Sequence, residues 1–361
     1  MAKHDNSKDG LNIIVLVRWF VKWNGTATVA YNLSKTLIRR GHKISVITYK
    51  DYADPSWSRE IPTITLNKKY FDLSSLIDIA RIIKKINPDI VHSHGLLGLS
   101  AIYANVPYIV TYHGEWPMNI FTSAKAFLST FSLFPLQILE MKHAKKTICV
   151  SSYSQRVLRT FNIDATVIPN GIEERRILKN MNILEEKENV AVFLGAITKK
   201  KAKLLPRVIK EITNLYKNFR VLVIGKVVDH DIHRALLKLP NTVVLGFVDN
   251  KWFFLDRAKV LLIPSVSENI PMAVMEAFAR GVPVVAFKIG GLPDIVIDNF
   301  NGFLINKGDI KSFAKKVIEI FEDSLLYKKL STNAIKFVKR YTWDHIAERY
   351  EKILYKACGY H

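Results

Sequence analysis

Short apolar runs alternate with longer amphipathic stretches along most of this chain, and that alternation predicts a parallel-sheet protein. The runs Leu11–Val17, Lys43–Tyr49, Pro88–His92, Tyr108–Tyr112 and Thr147–Ser151 have the length and near-continuous apolarity of strands buried on both faces. Helical patterns fall between them, from about Thr26 to Arg40, where Gly41 suits a left-handed stop, and from Ser74 to Ile86. The cycle resumes with Val190–Leu194, Val221–Ile224, Lys259–Ile263 and Val282–Phe287. We therefore expect an α/β chain with two similar halves, 1–172 and 190–341. Pro169-Asn170-Gly171 reads as the turn that closes the first half, and the charged stretch 173–189 reads as a linker. Residues 342–361, with a helical pattern from Trp343 to Tyr355, form a separate closing segment.

One apolar region stands apart. Phe121 to Lys146 reads as helical and carries no charge from Ala126 to Leu139, between Lys125 and the cluster Lys142, Lys145 and Lys146. Its length suits a core or interfacial helix better than a span, and Pro135 is expected to kink or split it. Packing on the first sheet and docking on a membrane surface both remain open for it.

The most specific stretch is Pro264 to Asp294, PSVSENIPMAVMEAFARGVPVVAFKIGGLPD. It reads as a loop after one buried strand, a helix from Met272 to Arg280, a stop at Gly281, a second strand and the glycine pair Gly290-Gly291. Asn269 is expected to cap the helix and Pro271 to occupy its first turn. Loops at the carboxyl ends of parallel strands are where ligands bind in open α/β sheets. Two acids mark this one: Glu268 in the loop, and Glu276 about a turn and a half into the helix. A helix N-terminus favours a phosphate group, so carboxylates beside it suit neutral hydroxyls such as those of a sugar and a ribose.

Glu268, Glu276 and the surrounding Pro-Ser, Asn-x-Pro, Arg-Gly-x-Pro-Val and Gly-Gly elements resemble the Glu-x7-Glu motif of the retaining glycosyltransferases called group 1, or family four. The resemblance covers nearly the whole chain and implies a GT-B fold, with two Rossmann-like parallel-sheet domains facing each other across a cleft. It implies that Glu268 holds donor-sugar hydroxyls and Glu276 the nucleotide ribose, with the loop Asn269-Ile270-Pro271 at the diphosphate. His113, directly after an apolar run, matches the family's histidine near the transferred sugar, while His92 and His94 look like a weaker family feature. Gly25 stands where the family has two adjacent glycines, and either a close approach to the donor or a simple tight turn would explain it. Gly195 and Lys201 match the family's glycine and lysine at the donor diphosphate, but Ala196 stands where the family has an arginine. Lys199, Lys200 and Lys203 are candidates to replace its charge, without arginine's planar fork. Gly225-Lys226 departs from a small acidic-glycine turn, and the loop around Val248 resembles the one that meets the nucleobase. The closing helix is expected to cross back onto the first half.

Composition narrows the partners. Lys and Arg number 53 against 32 Asp and Glu, a net charge of +21, spread over both halves. Such a field favours phosphorylated small molecules, anionic lipid or nucleic acid. No zinc spacing, helix-turn-helix or aromatic-basic platform supports nucleic acid. No window has the roughly 18 uninterrupted apolar residues of a spanning helix. Residues 1–10 do not resemble a signal peptide, and two cysteines, Cys149 and Cys358, are too few for a disulfide framework. A cytoplasmic place is expected, with peripheral contact to an anionic membrane face as the specific partner the charge suggests.

The resulting expectation is a hexosyltransferase using a nucleoside diphosphate sugar (UDP- or GDP-hexose) and an acceptor hydroxyl on a glycan or lipid-linked glycan. No metal or other cofactor is expected, because lysine and backbone amides supply the positive charge. The resemblance implies retention at the anomeric carbon. Alternatives are a non-catalytic nucleotide-sugar-binding subunit, which the missing arginine would suit, or an epimerase or phosphorylase on the same fold.

Overall fold

The computed structural model describes residues 10–68, 72–114, 124–185 and 187–360, with backbone alone over 124–132 and at 183. In the first half, β1 (Asn12–Leu16), β2 (Lys43–Tyr49), β3 (Thr63–Leu66), β4 (Ile90–Ser93), β5 (Tyr108–Tyr112), β6 (Lys146–Cys149) and β7 (Ala165–Val167) form one sheet in the order 3-2-1-4-5-6-7. In the second, β8 (Glu188–Leu194), β9 (Arg220–Ile224), β10 (Thr242–Gly246), β11 (Ala258–Ile263), β12 (Val284–Phe287) and β13 (Gly302–Ile305) follow the order 10-9-8-11-12-13. Every pairing is parallel, with Ile13 opposite both Ile44 and Ile90, and Val192 opposite both Leu222 and Leu261. The strands at the centre of each sheet are buried: β1, β4 and β11 along nearly their whole length, and β8 from Val190 to Phe193. Edge strands β3 and β10 alternate or stay half-exposed, which is why the apolar pattern alone does not reveal them.

Each sheet reverses its strand order once, between β1 and β4 and between β8 and β11. Ligands bind at such switch points because the loops there diverge to opposite faces and leave a crevice.

The chain crosses between the halves twice, at Ile172 and Thr342, and the two crossings are hydrogen-bonded together. Ile172 N donates to the Tyr341 carbonyl at 2.8 Å, and Trp343 N to the Ile172 carbonyl at 3.0 Å. Gly171 permits this, since a Cβ there would come within 2.6 Å of the Trp343 ring. The closing helix, Trp343–Ala357, lies on the first half: Trp343, Ile346, Ala347, Tyr350 and Leu354 join the core of Ile13, Val15 and Leu37. Its partly buried Glu351 takes Arg40 at 2.6 Å and His42 at 3.0 Å.

Three expectations need correction. Asn269 does not cap the motif helix, which runs Met272–Ala279 with Pro271 at its N-cap and no side-chain cap. Residues 173–189 are not simply a solvated linker. Ile177, Leu178 and Leu184 are buried in the second core, Lys187 is buried, and β8 already begins at Glu188. Pro135 lies within a continuous helix, Ala124–His143, instead of splitting it. The first residues of that region, 121–123, and the side chains of 124–132 lie outside what the structure describes.

Candidate functional site

Between the two switch points lies a cleft of about 330 Å³, lined from the first half by Trp23, Gly25 and Thr28 and from the second by Gly195, Lys201, Lys226, Val248, Lys251, Pro271 and Glu276, among others. The backbone around Gly25 is a helix start, because Asn24 caps the helix Gly25–Arg39 through its side chain, accepting from Ala27 N at 3.0 Å. A Cβ on Gly25 would meet nothing within 4 Å, so the space before it is open.

On the second half, the loop 264–271 is sewn to the loop after β8. Val266 N donates to the Lys200 carbonyl at 2.9 Å, and the Ser265 hydroxyl lies 3.3 Å from both the Lys201 carbonyl and Glu268 Oε1. Thr198 caps the short helix that carries Lys201, its side chain accepting from Lys201 N. Lys201 Nζ stands 3.5 Å from Glu268 Oε1, and Glu268 is only 6% exposed. Gly290 shapes the loop from behind, with φ +52 and a Cβ position 1.8 Å from the Glu268 carbonyl. Glu276, 4% exposed, pairs with Lys251 at 2.5 Å. Two buried acids thus stand at one cleft, Glu276 in its lining and Glu268 just beside it, each with a lysine from a different segment. The Lys251 partnership is missed by the sequence, since nothing in the spacing from 251 to 276 marks it.

The loop Glu268-Asn269-Ile270 also fastens the halves together. Asn269 Nδ2 donates to the His113 carbonyl at 3.0 Å and to Ser154 Oγ at 2.9 Å, while its Oδ1 accepts from the Ser151 hydroxyl. Asn170 Nδ2 donates to the Ile270 carbonyl at 3.0 Å, and Asp294 accepts from Ser152 N and Ser152 Oγ, both at 2.6 Å. Gly291 is compact for the same reason, as a Cβ there would lie 2.7 Å from Asn269 Oδ1. Asn269, Ile270, Glu268 and His113 are therefore behind or beside the open cleft, whereas Gly25, Gly195, Lys201, Val248, Pro271 and Glu276 line it. No sequence spacing reveals the Ser151–Asn269 and Ser152–Asp294 contacts, because their partners are more than a hundred residues apart.

The first half contributes histidines where the second contributes charges. His94 Nδ1 and His113 Nε2 are 2.9 Å apart, and the His92 and His94 rings are 4.3 Å apart between centroids. His92 Nε2 meets Thr111 Oγ1 at 2.8 Å, which in turn meets the Tyr350 hydroxyl of the closing helix at 3.2 Å. Burial lowers His113 to about 4 and His92 to about 3, and holds His94 well below the usual range, so all three are neutral near pH 7. Among the described residues no group of three or more His, Cys, Asp or Glu is arranged to hold a metal ion. No helix is long and apolar enough to cross a membrane, again among the described residues.

Comparison with known proteins joins this geometry to a family. Residues 23–176 match the Glycosyltransferase Family 4 model and residues 174–337 the model of Glycosyl transferases group 1. An uncharacterized glycosyltransferase of Methanocaldococcus jannaschii is 28% identical over 330 residues, covering 87% of this chain and 89% of that one. The UDP-Gal:alpha-D-GlcNAc-diphosphoundecaprenol alpha-1,3-galactosyltransferase of Escherichia coli is also 28% identical, over 76% of this chain and 78% of its own length. Among solved structures, Anabaena HepE in complex with UDP and glucose superposes with a TM-score of 0.80 at 17% identity, covering 95% and 99% of the two chains. Sucrose-phosphate synthase from Thermosynechococcus elongatus gives 0.81 at 17%, covering 96% and 98%. With both family models side by side along the chain and both switch points opening on one cleft, the chain belongs to the group 1 glycosyltransferases and is a transferase enzyme of the GT-B fold.

Proposed function

We propose that the protein moves a hexosyl group from a UDP- or GDP-hexose to an acceptor hydroxyl, with retention at the anomeric carbon. The observation that carries this is the pair of buried carboxylates, Glu268 and Glu276, each matched to its own lysine at a parallel-sheet switch point. In this reading Glu276 accepts from the ribose hydroxyls and Glu268 from hydroxyls of the donor sugar, each exchanging its lysine contact for a ligand. Gly195 lets the diphosphate approach the backbone, Val248 borders the base, and the uncapped helix start after Pro271 offers amides to the phosphates. The bond between the anomeric carbon and the diphosphate oxygen breaks, and its electron pair leaves with the nucleoside diphosphate. The acceptor oxygen bonds to the anomeric carbon, and its proton passes to the departing diphosphate. Lys201 stabilises the charge that develops on the leaving group, so lysine does the work a metal would otherwise do. His113, uncharged at neutral pH, orients the sugar from the other half without competing for the phosphates.

The acceptor belongs on the first half, and a lipid-linked glycan is the class we favour. The Escherichia coli relative acts on a diphosphoundecaprenol-linked sugar by its name, and a net charge of +21 suits an anionic membrane face. The test is a donor screen following UDP or GDP release from the purified full chain, with and without lipid extract, beside Glu268→Gln and Glu276→Gln. Release from one donor, raised by lipid and lost in both variants, is the expected result. Tight donor binding with no release under any acceptor would instead make this a binding subunit. Activity that survives EDTA checks the lysine reading.

A further inference from the structure

The loop after β9 lies directly against the loop after β8. Ile197 N donates to the Lys226 carbonyl at 2.9 Å, and a Cβ on Gly225 would sit 2.0 Å from the Gly195 carbonyl and 3.1 Å from Ala196 N. Gly225, at φ +149, is what allows this approach. It brings Lys226 to the cleft edge beside Ala196, whose methyl offers no charge. Lys226 Nζ lies 4.5 Å from the centroid of the Trp23 ring, which reaches over from the first half and is 44% exposed.

The other cleft lysines of the second half are occupied. Lys201 is paired with Glu268 and Lys251 with Glu276, while Lys22 belongs to the first half. Among the described residues Lys226 has no carboxylate partner, and an exposed lysine over an aromatic ring is held only weakly. A diphosphate entering the cleft needs cations not already neutralised by acids, and a ring contact is weak enough to exchange for it.

We propose that Lys226 is the second cation of the diphosphate site, supplying from the neighbouring loop the charge that Ala196 lacks, with Trp23 holding it in place until a donor arrives. The proposal rests on the reading of this cleft as a nucleoside diphosphate site. Its test is titration of the full chain with UDP and with GDP. Lys226→Ala should weaken whichever nucleotide binds by about tenfold or more, the size of one charged hydrogen bond. Lys226→Arg should stay within about threefold of wild type, and adding Ala196→Arg to Lys226→Ala should recover most of the loss. Trp23→Leu should cost clearly less than Lys226→Ala. If the alanine variant melts early, Lys226→Met, which keeps the stem over the ring, gives the same reading. Unchanged affinity in Lys226→Ala or Lys226→Met overturns the proposal alone. An equal loss in Trp23→Leu also overturns it, since Lys226 would then be only half of a bridge between domains. A wild-type chain that binds neither UDP nor GDP removes the donor-site reading and this proposal with it.

Discussion

The two walls of the cleft are built on the same topology yet present opposite chemistry. On the second half, the segments after β8, β10 and β11 bring buried carboxylates and lysines into pairs, with Lys226 left without a carboxylate partner among the described residues. On the first half, the strand ends after β4 and β5 bring histidines, which burial keeps uncharged, and an open glycine before a helix start. On the proposed reading a diphosphate sugar needs both: cations and hydroxyl acceptors where the nucleotide lies, and neutral groups where the sugar is transferred, although the first half also brings Lys22 to the cleft. The difference also explains how the walls are joined. Asn269 reaches across with neutral hydrogen bonds, and the Asp294 carboxylate takes two more from Ser152.

The largest effect is expected at the charged wall. Glu268→Gln should lower kcat by about 100-fold or more while UDP or GDP affinity changes little, because on the proposed reading Glu268 meets the sugar and not the nucleotide. Steady-state kinetics beside nucleotide titration checks this, and a loss confined to nucleotide affinity would place Glu268 elsewhere.

Gly290→Ala attacks the same wall through its backbone. The new Cβ collides with the Glu268 carbonyl at a φ of +52, and we expect about 2–4 kcal/mol lost in denaturant unfolding. Asn269→Ala removes contacts between the halves and should cost about 1–3 kcal/mol, with KM rising more than kcat falls. If its unfolding splits into two transitions, the loop is the main fastening between the walls.

The histidine side of the first half has a pH signature. His92 and His113 titrate at about 3 and about 4 when folded, against 6.5 for the free side chain. Between pH 6.5 and 4 the unfolded chain therefore binds protons that the folded chain does not, and their contribution to stability falls as pH falls. Glu140 works the other way: burial raises it to about 8, so the folded chain holds its proton between pH 4.5 and 8 and its contribution falls as pH rises. His92→Phe should flatten the acid limb of the melting-temperature profile, and Glu140→Gln the limb between 4.5 and 8. The smallest effect belongs to Asn24→Ala, about 1 kcal/mol of stability from a lost helix cap. A large change in donor affinity there would show that Asn24 touches ligand as well.

Much of this was legible before any coordinates. The apolar runs placed the central strands to within a residue or two, because a strand buried on both faces must be apolar along its whole length. The resemblance of residues 264–294 marked the loop and helix that carry Glu268 and Glu276. What stayed hidden has a common cause. Asn269 reads locally as a cap, since an Asn two residues before a prolyl helix start has the right chemistry, but its partners His113 and Ser154 lie over a hundred residues away. Lys187 reads as part of a solvated linker, yet it is buried and donates to the Leu255 and Arg280 carbonyls at 2.9 and 2.8 Å, where two helices end.

The sequence by itself determined the alternation of strand and helix and the two halves, which follow from periodicity, and marked the loop and helix that carry Glu268 and Glu276. The tertiary structure decided which lysine meets which acid, what Asn269 holds, and that Lys226 stands beside Ala196 under Trp23. Pairings of that kind depend on loops that neighbour each other only after the sheet order has reversed, and sequence separation carries no record of that distance.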